Sequence, residues 1–128
     1  MALKIKLKPK EKIVINGAVV SAGDQGSILF FLNKARILME KDVMTEEDVV
    51  SPEARVYFIL QLIYIDPDDQ PRYAQQLPPV VEEVLQRHPD KKEEMEQILA
   101  IAAQGDLFKA MRLAKKAFNL AHGPSTDE

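Results

Sequence analysis

The chain has 128 residues and a formal net charge of −3, with no cysteine and no tryptophan. That length suffices for one domain with its own core, and the missing cysteines exclude thiolate metal sites, redox pairs and disulfide staples, which fits a reducing compartment. The small net charge hides a segregation: through Lys41 eight basic side chains stand against three acidic ones, a balance of +5, whereas from Asp42 to Asp106 five stand against fifteen, a balance of −10.

The first predicted element is the strand Leu3 to Lys8. Successive strand side chains point to opposite faces, so Lys4, Lys6 and Lys8 line one side while Leu3, Ile5 and Leu7 line the other. With Lys10 and Lys12 these lysines form an alternating ladder at the head of the chain. Such a ladder is the pattern of a polyanion-binding face, and equally of a solvated edge strand blunted with lysine. Further strands are expected over Lys12 to Ile15, Ala18 to Ser21, Ser27 to Leu32 and Arg36 to Glu40. Asn16-Gly17 marks a hairpin, because both residues tolerate the positive φ of a two-residue turn. Gly23-Asp24-Gln25-Gly26 and Asn33-Lys34-Ala35 supply further turns. In the fourth strand Ile28, Phe30 and Leu32 share one face and Leu29 and Phe31 the other, so coverage on both sides is expected.

From Thr45 the period becomes helical. Ser51-Pro52 is a start signal, a hydroxyl N-cap followed by proline at the first helical position, with Glu53 suited to the helix dipole. Val56 to Ile65 is apolar nearly all round, interrupted only by Gln61, which requires burial on several sides. A domain of this size is expected to leave part of Tyr57 to Ile65 uncovered, which makes Tyr57 and Tyr64 candidate partner contacts and a homodimer an expected state. Asp66-Pro67-Asp68-Asp69-Gln70-Pro71 ends that helix, and Pro78-Pro79 is expected to interrupt or restart the next, which runs to about Arg87. Asp90 and Glu93 have the spacing of a capping box for a helix ending at Gln104-Gly105. Asp106 caps a last helix reaching about His122, and Gly123 to Glu128 is expected to be a mobile tail.

That last helix carries Lys109, Arg112 and Lys116 on one stripe and Leu107, Met111, Ala114 and Phe118 on the opposite one, at about 100° per residue. Its cations read either as a second polyanion patch or as ordinary charges favourable near a helix C-terminus. Leu113 and Leu120 lie beside the basic stripe and are candidate partner contacts. Enzymatic chemistry finds little support. His88 and His122 sit near helix ends with no partner at catalytic or ligand spacing, neighbouring glutamates read as solvated faces, and the glycines match no phosphate loop. No cofactor or metal is implied. The aromatic residues, Phe30 and Phe31 included, read as core. Neither a leader peptide nor an apolar run long enough for a membrane is apparent, so a cytoplasmic protein is expected.

Several blocks in order along the chain carry a resemblance. Leu7-Lys8-Pro9, Gly17, Ile37-Leu38 with Glu40-Lys41-Asp42, Ala54-Arg55-Val56-Tyr57, Gln61-Leu62-Ile63-Tyr64 and Gly105-Asp106-Leu107-Phe108-Lys109-Ala110 together make the sequence similar to the FlbT family of flagellar regulators. The resemblance implies a post-transcriptional repressor that binds the 5′ untranslated region of flagellin mRNA and lowers its translation or stability. It also implies functional coupling to the FlaF family, which acts with opposite sign on flagellin output, and flagellin or a FlaF-type protein is the expected partner if the chain is a protein-interaction module. Met39 and Asp24-Gln25-Gly26 stand where family members often carry arginine, which removes phosphate contacts at those places. On this reading Lys4, Lys6, Lys8, Lys10 and Lys12 are the preferred RNA-contacting set and Lys109, Arg112 and Lys116 a second one. The alternative is a protein-interaction module using Leu113, Leu120, Tyr57 and Tyr64. The expected fold is α+β in a single domain: residues 1–44 form an antiparallel β meander or small open barrel of about five short strands, residues 45–122 a bundle of three to four helices, and residues 123–128 the tail.

Overall fold

In the computed structural model, residues 3–120 are described, and the chain divides into two compact units, one ending at Glu40 and the other beginning at Lys41. The first contains strands β1 (Leu3–Leu7), β2 (Lys12–Ile15), β3 (Ala18–Ser21), β4 (Ser27–Phe31) and β5 (Ile37–Met39). The second contains helices α1 (Pro52–Ile65), α2 (Gln70–Ala74), α3 (Leu77–Arg87), α4 (Lys92–Ala103) and α5 (Leu107–Phe118). Strands followed by helices is the α+β architecture that the change of period implies.

The strands pair in two small antiparallel sheets, β1-β4 and β3-β2-β5, and not in chain order throughout. Asn16 and Gly17 close the β2–β3 hairpin with φ of 50° and 87°, the positive values that a two-residue hairpin turn demands. Between β1 and β2 the chain does not fold back as a hairpin. Glu11 N–H donates to Lys8 O at 3.0 Å, Lys8 N–H donates to the Glu11 carboxylate at 2.9 Å, and Lys10 adopts φ 62°, so this turn carries the chain from one sheet to the other. The chain returns at Gly26, whose φ is +76° and where an added Cβ would lie 2.5 Å from Leu7 O. Only glycine lets the start of β4 pass the end of β1 this closely.

Leu7, Ile13 and Ala22 form the centre of this unit, with Ile5, Ile15, Leu29, Phe31, Ile37 and Met39 packed around them. The alternation of β1 and β4 thus sends Ile5, Leu7, Leu29 and Phe31 inward onto β2 and β5. A fully buried Ile13 contributes about 1.5–3 kcal/mol relative to its exposed state. The expectation that β4 is covered on both sides is corrected here: Ile28 is 48% and Phe30 61% exposed. A two-stranded ribbon laid on one core has a single inner face, and hydrophobicity on both faces of β4 does not supply a second layer.

In the second unit, Ser51 is extended (φ −154°) and its hydroxyl accepts from Ala54 N–H at 3.1 Å, with Pro52 opening α1. α1 packs against α3 and α5. Of its apolar residues Val56, Tyr57, Ile59, Leu60 and Ile63 are buried, while Phe58, Leu62, Tyr64 and Ile65 are half-buried. Gln61 is buried as well because it has a partner in the backbone. Its Oε1 accepts from Met44 N–H and its Nε2 donates to Met44 O, each at 2.8 Å. One turn earlier, Tyr57 Oη donates to Asp42 O at 2.7 Å. The two side chains, four residues apart and so on one helix face, tie the segment 42–44 to α1.

Pro78 and Pro79 fall in the first turn of α3, where the missing N–H groups have no intrahelical partner to lose. The capping box expected at Asp90 and Glu93 is not formed. Pro89–Lys91 is a 3-10 turn that takes Asp90 inside it, and α4 begins after Lys91 without a side-chain cap. Gly105, at φ +95°, turns the chain out of α4, and the Asp106 carboxylate then accepts from Lys109 N–H at 3.2 Å to cap α5. α5 buries Ala110, Met111 and Ala114 and packs on α1 and α4. It ends at Phe118, short of the expected His122, because Asn119 takes a left-handed conformation and its N–H closes on Lys115 O. His122 and the tail lie outside the described residues. Among those described, no helix is long and apolar enough to cross a membrane.

Candidate nucleic-acid interface

The register of β1 with β4 sets Lys4 opposite Phe30 and Lys6 opposite Ile28. Residues directly opposed in an antiparallel pair project from the same face, with Cβ atoms about 4.5–5.5 Å apart. The outer face of the ribbon therefore presents two ammonium groups beside an exposed phenyl ring and an exposed isoleucine. Among the described residues no ion pair engages Lys4 or Lys6. Lys8 follows the strand and is exposed.

The structure separates the rest of the ladder from these two. Lys10 lies in the left-handed turn with its ammonium 3.8 Å from Asp24, an exposed pair of small energetic weight. Lys12 opens β2 in the other sheet, opposite Ser21, and its N–H donates to the Glu40 carboxylate at 3.2 Å. Phe30 and Ile28 are the residues that the sequence reading placed in the core. The signal that could have found them is the lysine ladder itself, since a strand whose outer face is all lysine has a neighbour whose outer face is open too.

On α5, Lys109, Arg112 and Lys116 line one shallow groove of about 360 Å³ with Asp106, Phe108 and Leu113. The helical spacing expected for the basic stripe is present, although Asp106 places a carboxylate at its head. Leu113 also lines a second groove of about 310 Å³, between α4 and α5, with Ile98, Gln97 and Lys116. Leu113 and Leu120 are half-buried. Tyr57 is not a contact residue: it is wholly buried, and burial together with the charge of Asp42 pushes its hydroxyl far above its ordinary pKa, so it stays a protonated donor. Tyr64 is half-buried, its ring 5.9 Å from that of Phe108.

One cluster had no sequence signal. Glu53 is 7% exposed, and its Oε1 lies 3.2 Å from Arg87 Nε and 3.1 Å from His88 Nε2, linking the first turn of α1 to the end of α3. Oε1 accepts no hydrogen bond in this arrangement, so Arg87 is an ion-pair partner by distance, and His88 is one only when protonated. His88 closes α3 as its C-cap, with its ring 6.4 Å from that of Phe118. Among the described residues no group of acidic, histidine or cysteine side chains has the arrangement of a metal site.

Comparison with known proteins gives these surfaces a family. The chain is 35% identical over 118 residues to the probable flagellum biosynthesis repressor protein FlbT of Caulobacter sp. strain K31, covering 91% of this chain and 90% of that one. It is 33% identical over 117 residues to the probable flagellum biosynthesis repressor protein FlbT 1 of Bradyrhizobium diazoefficiens, covering 91% and 80%. A third match, to the flagellum biosynthesis repressor protein FlbT of Caulobacter vibrioides strain ATCC 19089, reaches 47% over 66 residues, about half of each chain. No solved structure matches. The family model described as flagellar protein FlbT matches residues 3–122, across both units, and the chain therefore belongs to the FlbT family of flagellar proteins.

Proposed function

We propose that the protein is a repressor of flagellum biosynthesis that acts after transcription, binding the 5′ untranslated region of flagellin mRNA and lowering its translation or stability. The relatives' names supply the repressor role, and the observation that carries the RNA reading is the open outer face of β1 and β4. There Lys4 and Lys6, free of ion pairs among the described residues, stand beside the exposed Phe30. Phosphates are neutralised by such lysines with release of counterions, and the work requires no catalysis and no cofactor. A repressor of translation acts in the cytoplasm. The test is retardation of the flagellin leader RNA by the full chain, together with expression of a reporter fused to that leader in cells with and without the protein. Binding and lowered reporter output are expected. A leader that is not bound, with a reporter that does not respond, would overturn the proposal.

A second reading, of a module that holds flagellin or a FlaF-type partner, is favoured by the position of Leu113 between two grooves bordered by Lys109, Arg112 and Lys116. Cations there would speed encounter with an acidic amphipathic segment, and the leucine would retain it. On that reading Leu113→Asp abolishes capture of the purified partner and spares RNA binding at the ribbon. Undiminished capture by the folded variant would remove this margin from the interface.

A further inference from the structure

We propose that the outer face of the β1–β4 ribbon is a stacking site for unpaired nucleotides, with the Phe30 ring as the platform for a base and Lys4 and Lys6 as the flanking phosphate contacts. This rests on the RNA reading above and makes it narrower: the ligand class is single-stranded RNA, and a duplex is a poor ligand. Phe30 is 61% exposed in the middle of a strand, in an arrangement where the preceding and following residues, Leu29 and Phe31, have found the core. A ring left in water beside two lysines offers what a base needs, a π-face with cations along one edge. Lys4 lies directly across from it and Lys6 on the diagonal.

The spacing suits the same ligand. Lys4 and Lys6 are two residues apart on one strand face, about 6.8 Å, which is comparable to the separation of successive phosphates in an extended single strand. Ile28, 48% exposed opposite Lys6, extends the apolar floor to one side. A duplex hides its base faces in the helical stack and offers this site phosphates alone, so the ring would contribute nothing to its binding. The charge also argues against an apolar protein partner: covering Phe30 and Ile28 with such a surface would desolvate two lysines that have no carboxylate among the described residues to receive them.

The chain contains no tryptophan, so Phe30→Trp places a single tryptophan at the site, excited selectively at its red edge over the three tyrosines. The probes are an oligouridylate of about 12 nucleotides, within the range of single-strand site sizes, and an RNA duplex of the same length. Val50→Trp, at an 85% exposed position in the other unit, serves as the control for quenching without stacking. Fluorescence of Phe30→Trp is expected to be quenched by the oligouridylate and unchanged by the duplex, with Val50→Trp unchanged by both. Phe30→Ala, at an exposed position that tolerates truncation, should bind the single strand about tenfold more weakly. Its salt dependence should match that of the unaltered protein, since no phosphate contact is lost. Unchanged affinity of Phe30→Ala, or equal responses to strand and duplex, would overturn the stacking site and leave the RNA reading standing. If neither probe nor the flagellin leader binds the unaltered protein, the RNA reading itself fails and the stacking site with it. A Phe30→Trp signal that follows protein concentration and ignores RNA would assign the face to contact between copies of the chain.

Discussion

Gln61 interrupts the apolar run Val56 to Ile65 of α1, and the structure implies that replacing it with the better hydrophobe, leucine, destabilises the protein. Gln61 is 3% and Met44 2% exposed, and their two 2.8 Å hydrogen bonds use both the N–H and the carbonyl of Met44. In Gln61→Leu those two backbone groups stay buried and lose their partners, at about 1–3 kcal/mol each. The added apolar burial offsets about 1–2 kcal/mol of that. Mid-range values, about 4 kcal/mol lost against about 1.5 kcal/mol gained, leave a net loss of about 2.5 kcal/mol, out of a total of about 5–15 kcal/mol for a domain of ordinary stability. With a urea slope of about 2 kcal/mol per molar, the unfolding midpoint should fall by about 1–2 M at unchanged slope. The Met44 amide should lose its protection from hydrogen exchange at the same time, because its acceptor is gone. A midpoint equal to or above that of the unaltered chain, with the Met44 amide still protected, would show that the segment 42–44 is held by something other than this side chain.

Alkaline pH reaches the same segment through Tyr57, whose folded-state pKa is raised by burial above the unfolded value of 10.0. The stabilisation from that shift is complete below about pH 10 and is lost as pH rises further, at about 1.4 kcal/mol per unit; Tyr57→Phe should be less stable at neutral pH and show a shallower alkaline decline, measured by urea titrations at several pH values. An equally steep decline in both would assign the alkaline transition to another group. Gly26→Ala forces a side chain into a left-handed conformation at about 1–2 kcal/mol and presses its Cβ against Leu7 O; it should lower stability by about 2 kcal/mol or more and weaken RNA binding although every lysine is retained. Native RNA affinity in that variant would show that the β1–β4 pairing is not needed to shape the site.

Much of the fold was legible because two periodicities follow one another in the chain. Period-2 alternation punctuated by Asn16-Gly17 and Gly26 located the five strands, and Ser51-Pro52 and Asp106 located two helix starts that the structure caps with those same side chains. Alternation assigns a residue to a face and does not name the strand across from it. Nothing local in Lys8-Pro9-Lys10-Glu11 distinguishes a hairpin from the turn that crosses to the second sheet, so the pairing of β1 with β4 was not legible. Phe30 was misplaced for that reason: its burial depends on how many layers the β unit has, which is a property of the pairing. Tyr57 failed in the opposite direction, since an all-apolar helix looks under-covered until α3 and α5 are packed on it. The pairing of Glu53 with Arg87 and His88 joins residues more than thirty positions apart and has no trace in spacing. The basic stripe of α5 was legible because a single helix fixes it without reference to any partner.

Whether RNA lies on the lysine face of β1 is read from the salt dependence of the flagellin leader's affinity for the unaltered chain and for Lys4→Gln, Lys6→Gln and Lys8→Gln combined. Each contact to a single strand contributes about 0.7 to the slope of log affinity against log salt. If all three side chains meet phosphates, the triple variant should bind more weakly at low salt with a slope flatter by about 2, while its circular dichroism stays that of the unaltered protein. An unchanged affinity and slope in the folded triple variant would contradict the account and remove this face from the RNA site.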